Sequence, residues 1–394
     1  MEQLAICGGE VHAPNAVIAD GVVLIRDGTI AAVGPAEQVA VPPEAERFDA
    51  RGCIVAPGFV DIHNHGGAGG DFSDDDDEAI ELAVRHHAGG GTTALLATTG
   101  STTREHWERI AERLERAMQW RGRGATVIGW HAEGPFLNME MRGCHLPEMV
   151  RPPTPDDVDW LLEQRGLVRH VTLAPELDYG LTATERLAEA GITVSAGHTT
   201  ATAELLYEAV RRGLSHSTHM FCAMGSVTAD GPRRVPGAVE GILASDSITT
   251  EIICDGFHLD PVMIELAYRA KGPQQLALCT DAMRGAGMPD GAYTSCLKIA
   301  YCRGGVAIMP EGTGYASSCI RMNDNLKTVR ARPRIPLREA IQMASLVPAR
   351  IADIADRKGS LEAGKDADVA VLNRDLDVVL TVAEGRVVYR ATSP

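Results

Sequence analysis

Aromatic residues are scarce in this chain, 4% of 394. Positive charge is also in short supply: 37 Lys and Arg stand against 53 Asp and Glu, a formal net charge of −16. A uniformly acidic surface repels nucleic acid and anionic membranes, so neither is expected as a partner. A small anionic substrate held by a few local Arg residues is still compatible with it. No CxxC pair occurs, and the nine Cys are an odd number scattered from Cys7 to Cys319. That excludes a disulfide framework and points to a reducing, cytoplasmic compartment. No run reaches the roughly 18 apolar residues that span a bilayer. The first residues, Met1-Glu2-Gln3-Leu4-Ala5-Ile6, lack the basic and apolar regions of a signal peptide.

Glycine, by contrast, is abundant at 41 residues, as close turns at strand ends require. Apolar residues make up 45% and charged residues 23%, an ordinary globular composition. The length suits one large domain with a small one, or two ordinary domains. Val22–Ile25 and Ile30–Val33 flank Asp27-Gly28, a hairpin signature. Asp368–Leu372, Val378–Val382 and Val387–Tyr389 repeat that style near the C-terminus. Neither set can bury a core by itself, so the two termini are expected to join. They would form one small β-domain of sandwich type from residues 1–56 and 360–394.

Between them, over 57–359, short apolar runs alternate with helical stretches such as Arg104–Met118 and Ala203–Arg212. The strand candidates are Phe59–Ile62, Thr93–Ala97, Thr126–Trp130, His170–Leu173, Thr193–Ala196, His216–Thr218, Glu251–Cys254 and Gln275–Cys279. Eight β–α units in this length predict an α/β fold, a TIM (β/α)8 barrel; a doubly wound open sheet is the alternative. The acidic run Asp74–Asp77 reads as a solvated helix N-terminus.

Polar residues stand at the ends of several candidate strands: His63 and His65, then Glu133, His198, His219 and Asp281. In a barrel those positions converge on one mouth. An HxH pair is weak evidence by itself, but i and i+2 of a strand point to one face and can reach one ion. Imidazole and carboxylate suit zinc, and also iron, cobalt or nickel. A divalent ion lowers the pKa of water and polarises a carbonyl. Asp281, after the last strand, is placed to move the proton from that water to a leaving amine.

With these residues in place the chain resembles the N-acetylglucosamine-6-phosphate deacetylases of the amidohydrolase superfamily, over nearly its full length. The matching segments run from Pro57-Gly58-Phe59-Val60-Asp61-Ile62-His63 to Gly364-Lys365-Asp366-Ala367-Asp368. Between them lie His131-Ala-Glu-Gly-Pro-Phe136, Ala174-Pro-Glu176, Ser195-Ala-Gly-His198, Thr218-His219, Asp255-Gly-Phe-His258 and Thr280-Asp-Ala282. The resemblance implies that Glu133, His198 and His219 hold a principal metal and that His63 and His65 hold a second. It makes Asp281 the general base and acid, and puts His258 on the acyl oxygen or sugar. It puts His145 on sugar hydroxyls and Arg234 on the phosphate across a homodimer interface. Two departures bear on substrate. Cys222 stands where the family has Asn, before Ala223, in the segment that contacts phosphate and sugar. In Thr313-Gly-Tyr-Ala-Ser-Ser318, Ser317 replaces a Gly and Tyr315 brings bulk. A galactosamine epimer, another acyl group or an unphosphorylated sugar therefore stays open.

Two other readings compete. Many hydrolases of cyclic amides or dipeptides in this superfamily bridge two metals with a carboxylated Lys at the end of the fourth strand, where this chain has Leu173-Ala174-Pro175-Glu176. A non-catalytic sugar-phosphate-binding relative should have lost a ligand or the acid/base, and none is missing.

Overall fold

The computed structural model describes residues 3–295, 298–310, 312 and 314–392. Eight parallel strands follow one another in chain order around a barrel. They are β1 (Phe59–Asp61), β2 (Thr92–Thr99), β3 (Thr126–Glu133), β4 (Val168–Leu173), β5 (Thr193–Ala196), β6 (His216–Ser217), β7 (Thr249–Ile253) and β8 (Leu276–Cys279). Each coincides with an apolar run expected to be a strand. The open-sheet alternative fails because sequential strands are neighbours throughout, with no reversal of order.

The seam between β8 and β1 is closed just beyond the strand ends. The Asp281 N–H donates to the His63 carbonyl at 2.9 Å. The Asp61 carboxylate accepts the Thr280 N–H at 3.2 Å and its hydroxyl at 2.6 Å. Burial pushes the Asp61 carboxyl up to about 6, against the hydrogen bonds from Thr280 and Asn64.

Helices Asp77–Ala88, Arg104–Ala117 and Ala203–Arg211 cover the barrel as the periodicity predicts. Asp76 caps the first through its side chain, so the four-acid run is a helix start. Apolar side chains such as Trp107, Trp130, Leu114 and Val171 fill the space between strands and helices. The barrel interior itself is polar, unlike the branched apolar layers usual there. His131 meets the Thr172 hydroxyl at 2.7 Å, Thr172 meets Thr218 at 2.7 Å, and the His131 and His170 rings stack at 4.2 Å. The sequence reading missed this interior because residues such as His131 and Thr172 each stand between two apolar neighbours, and their polar partners lie on other strands.

The two termini build one sheet. Ile54–Pro57 pairs antiparallel with Val369–Leu372, which joins the N-terminal strands Gln3–His12, Val17–Arg26 and Thr29–Pro35 to Val378–Ala383 and Arg386–Arg390. The first hairpin turns at Asp27 (φ 48°) and Gly28 (φ 83°), the positive pair a two-residue turn needs. A four-stranded antiparallel sheet follows β8: Gly291–Ser295, Lys298–Arg303, Val306–Ile308 and Tyr315–Ser318. It was not anticipated.

Candidate active site

Six of the singled-out side chains meet at the C-terminal mouth of the barrel. His63 and His65 lie past the last paired residue of β1, yet both rings face one centre. Asn64 between them turns away to Asp61 and Thr280. Glu133 ends β3, and its two oxygens face different partners. Oε1 lies 3.2 Å from His198 Nε2 and 3.1 Å from His219 Nε2. Oε2 lies 3.1 Å from His65 Nε2 and 3.5 Å from His63 Nε2. Asp281 Oδ1 completes the second group, 3.4 Å from His65 and 3.5 Å from His63. His198 (φ 48°), His219 (φ 30°) and Asp281 (φ 45°) all hold left-handed backbone. Such conformations cost energy in non-glycine residues and cluster at functional sites.

Hydrogen bonds fix which ring nitrogens face inward. His198 Nδ1 donates to the Met141 carbonyl at 2.6 Å, and His63 Nδ1 donates to Glu251 at 2.6 Å. Both therefore present the lone pair of Nε2. Nε2 of His198 and His219 are 3.1 Å apart, and Nε2 of His63 and His65 are 3.3 Å apart. Ligands about 2.0–2.1 Å from a tetrahedral ion are about 3.3 Å from one another, so these spacings match a shared cation. Among the described residues three groups could share an ion. Two of them face the mouth, Glu133–His198–His219 and His63–His65–Asp281, while in the third, His63–Glu251–Cys279, the His63 Nδ1–H is already given to Glu251. The electrostatics agree. Burial lowers the His65 pKa, but hydrogen bonds with Asp281 and Glu133 overcome it and push it up to about 10. The surrounding carboxylates thus demand positive charge here.

The cleft over these groups encloses about 440 Å³, the size of a small-ligand site. His145 Nδ1 accepts the Ser101 N–H at 3.1 Å, which leaves Nε2–H to donate into the cleft. Burial pushes the His145 pKa down to about 3, so the ring stays neutral. His258 donates Nδ1–H to Asp255 at 2.7 Å, and its ring lies 5.0 Å from that of Tyr315. Cys222, Ala223, Phe221, Tyr315 and Ala316 line the walls. Burial and the nearby Asp281 and Asp255 push the Cys222 thiol up to about 12, so it is no nucleophile. Ser317 is buried in the strand beside the wall, paired with Ala307. Thr313, at the start of the same variant segment, lies outside the described residues.

Arg234 does not join the cleft of its own chain. It sits with Arg233 on an exposed hairpin, Thr228–Asp230 with Arg233–Val235, and no Lys or Arg lines the cleft among the described residues. Glu251 was missed by sequence reading. Fully buried, it accepts the His63 ring N–H and, at 3.2 Å, the His219 backbone N–H, and so supports both groups at once. Its signal was a lone carboxylate inside the run Thr249-Thr250-Glu251-Ile252-Ile253. Glu176, after β4, accepts the Thr200 N–H at 2.7 Å and the Thr199 hydroxyl at 2.5 Å, and so steadies the turn that carries His198.

Fold and site together define an α/β barrel with candidate metal-ligating side chains at its mouth. A profile of the amidohydrolase family matches residues 54–388. The chain is 35% identical to N-acetylglucosamine-6-phosphate deacetylase of Bacillus subtilis over 98% of both chains. It is 33% identical to N-acetylgalactosamine-6-phosphate deacetylase of Escherichia coli O157:H7, over 90% of this chain and 91% of that one. A solved mutant N-acetyl-D-glucosamine-6-phosphate deacetylase from Mycobacterium smegmatis, in complex with N-acetyl-D-glucosamine-6-phosphate, superposes with a TM-score of 0.89. That match has 32% identity over 98% of this chain and 100% of the other. The chain belongs to the amidohydrolase family, whose members are metal-dependent hydrolases of amide bonds.

Proposed function

We propose that the chain is a metal-dependent deacetylase that hydrolyses the N-acetyl amide of N-acetylglucosamine 6-phosphate to glucosamine 6-phosphate and acetate. The observation that carries this reading is the division of Glu133 between two ligand groups, with Asp281 in the second. Glu133, His198 and His219 would hold a principal zinc ion, for which iron, cobalt and nickel are the alternatives, and His63 and His65 would hold a second. Such an ion, when bound, would lower the pKa of water and polarise the acyl carbonyl. Asp281 would take a proton from the attacking water and return it to the leaving nitrogen. His258 contacts the acyl oxygen or the sugar, and His145 donates from Nε2–H to a sugar hydroxyl. The enzyme is cytoplasmic; among the described residues no helix is long and apolar enough to cross a membrane. Residues 57–359 form the catalytic barrel, and 1–56 with 360–394 form the small domain.

The phosphate is anchored by Arg234 of a second copy in a homodimer, with backbone donors near Cys222 and Ala223. Two facts support this: the cleft has no cation of its own among the described residues, and Arg234 is held outward on its hairpin. A guanidinium presents paired donors that match phosphate oxygens. The Escherichia coli relative makes the galactosamine epimer the second reading.

The test is acetate release from N-acetylglucosamine, N-acetylgalactosamine and their 6-phosphates, in wild type and Arg234→Ala. Wild type should prefer the glucosamine phosphate. Arg234→Ala should lose about 10–100-fold in kcat/KM on phosphorylated substrates, and little without phosphate. No preference for phosphate in wild type ends the sugar-phosphate reading and leaves a deacylase of an unphosphorylated amino sugar.

A further inference from the structure

The inserted sheet beside the cleft holds a pair of sulfurs that the catalytic reading does not use. Cys302 lies in the strand Lys298–Arg303, and Cys319 directly follows Tyr315–Ser318. The turn Gly304–Gly305 leads from the first of these strands to Val306–Ile308, and the Cys319 N–H donates to the Gly305 carbonyl at 2.9 Å. That contact brings the two side chains together around the end of the intervening strand. Their sulfurs are 3.1 Å apart, and Cys302 also touches the Met283 sulfur at 3.3 Å. A disulfide is about 2.05 Å long, so the sulfurs need to close by only about 1 Å. Cys302 is 5% exposed, and Cys319 is half-buried. The S–H of Cys319 donates to Cys302, which holds the Cys302 thiol below the ordinary value and the Cys319 thiol above it. A thiolate within this pair is what exchange chemistry requires.

We propose that Cys302 and Cys319 are a reversible disulfide site that clamps the strand bearing Tyr315 against the active-site floor. The residue before Cys319 is already tied to the Asp281 segment. The Ser318 N–H donates to the Asp281 carbonyl at 2.9 Å, its hydroxyl donates to the Thr280 carbonyl at 2.5 Å, and its own carbonyl accepts the Met283 N–H at 3.1 Å. Closing the bond fixes the far end of the span that carries Gly314, Tyr315 and Ala316, the cleft wall. The oxidant is a low-molecular-weight disulfide such as oxidised glutathione. One cysteine thiolate attacks a glutathione sulfur and releases a glutathione thiolate. The second cysteine, its proton passed to solvent, attacks the protein sulfur of the mixed disulfide and releases the other glutathione. Two cysteine thiols are oxidised and one glutathione disulfide is reduced to two thiols. A reducing compartment keeps the pair open, and an oxidising glutathione pool closes it.

The experiment equilibrates the metal-loaded, full-length protein in oxidised glutathione, then maps its peptides by mass spectrometry before and after dithiothreitol. The expected result is a protein lighter by about 2 Da, with Cys302 and Cys319 in one cross-linked peptide pair that dithiothreitol separates. In Cys302→Ser the cross-link should vanish, and Cys319 should carry a stable glutathione adduct. Amide hydrogen exchange over 306–318 should slow about tenfold in the oxidised protein, because the strand can no longer lift from one end. Two separate glutathione adducts in wild type, or a cross-link from either residue to a different cysteine, overturn the site. A correct cross-link with unchanged exchange over 306–318 overturns the clamp.

Discussion

Glu133 and Lys358 are each a buried ionisable group at the centre of a cluster, 2% and 3% exposed, but the two clusters are neutralised differently. Lys358 donates to Asp368 at 2.9 Å and lies 3.0 Å from Asp366 and 3.5 Å from Glu384. Arg357 pairs with Asp366 at 2.9 Å, and Arg121 pairs with Glu384 at 2.8 Å. Three cations face three carboxylates, so the junction between the barrel and the terminal strands balances its own charge. Burial would lower the Lys358 pKa, but Asp368 and Asp366 outweigh it and hold the amine above its ordinary value. Around Glu133 the chain supplies carboxylates and imidazole nitrogens aimed at one another, and among the described residues no Lys or Arg lines the cleft. A self-neutralised cluster holds structure together. One that converges lone pairs needs a cation from outside, because unpaired buried polar groups are costly.

Stripping the metal tests that contrast with the largest expected effect. A chelator should reduce turnover to background and leave the Lys358 junction folded, and a divalent transition ion should restore activity. Metal analysis should find His198→Ala and His219→Ala empty, but His63→Ala missing at most one ion. Full turnover in verifiably metal-free protein would erase the difference between the clusters.

Asp281→Asn comes next. The amide keeps the size of the carboxylate but cannot take a proton, so kcat should fall by about 10²–10⁴-fold with principal-site metal retained. Steady-state kinetics beside metal content decide it, and near-normal kcat would move proton transfer to His258.

Lys358→Met probes the other cluster. Removing its central cation leaves buried carboxylates facing one another, and denaturant unfolding should show a loss of about 3–5 kcal/mol. The kcat of the folded fraction should be unchanged. A catalytic defect without a stability defect would mean that the junction serves the reaction.

The smallest effect is expected from Glu251→Gln. The amide still fits between His63 and His219 but accepts the ring N–H less strongly. Residues that orient a metal-bound histidine typically contribute about 10–100-fold in metal affinity. Competition with a metal indicator should show that weakening most for the ion at His63, whose ring Glu251 holds, and less for the Glu133–His198–His219 ion, where it holds only the His219 backbone. Unchanged affinity for both ions would mean that Glu251 braces neither group.

The barrel was legible because its strands are apolar runs separated by amphipathic helices, a pattern local in sequence. Strand-end residues such as Glu133 and His219 could be placed for the same reason, since a barrel strand delivers its last residues to one mouth. The inserted sheet at 291–318 was harder. Its strands bury one face only, as the alternating exposure of Lys298–Arg303 records, and they follow the eighth strand where a helix is expected. Gly304-Gly305 between Tyr301-Cys302 and Val306-Ala307 was a hairpin signal that could have revealed it.

The sequence by itself determined the eight-strand barrel, the union of the two termini, the turn at Asp27-Gly28 and which histidines and carboxylates gather at the barrel mouth. Periodicity, turn chemistry and residue type are written in neighbouring positions. Only the tertiary structure decided that Glu133 divides its oxygens between two histidine pairs, that Glu251 braces both, that Arg234 stays out of its own cleft, and that Cys302 meets Cys319. Each of these is a distance between residues far apart in the chain. Such distances are set by barrel closure and by the path of the loops, which no local pattern encodes.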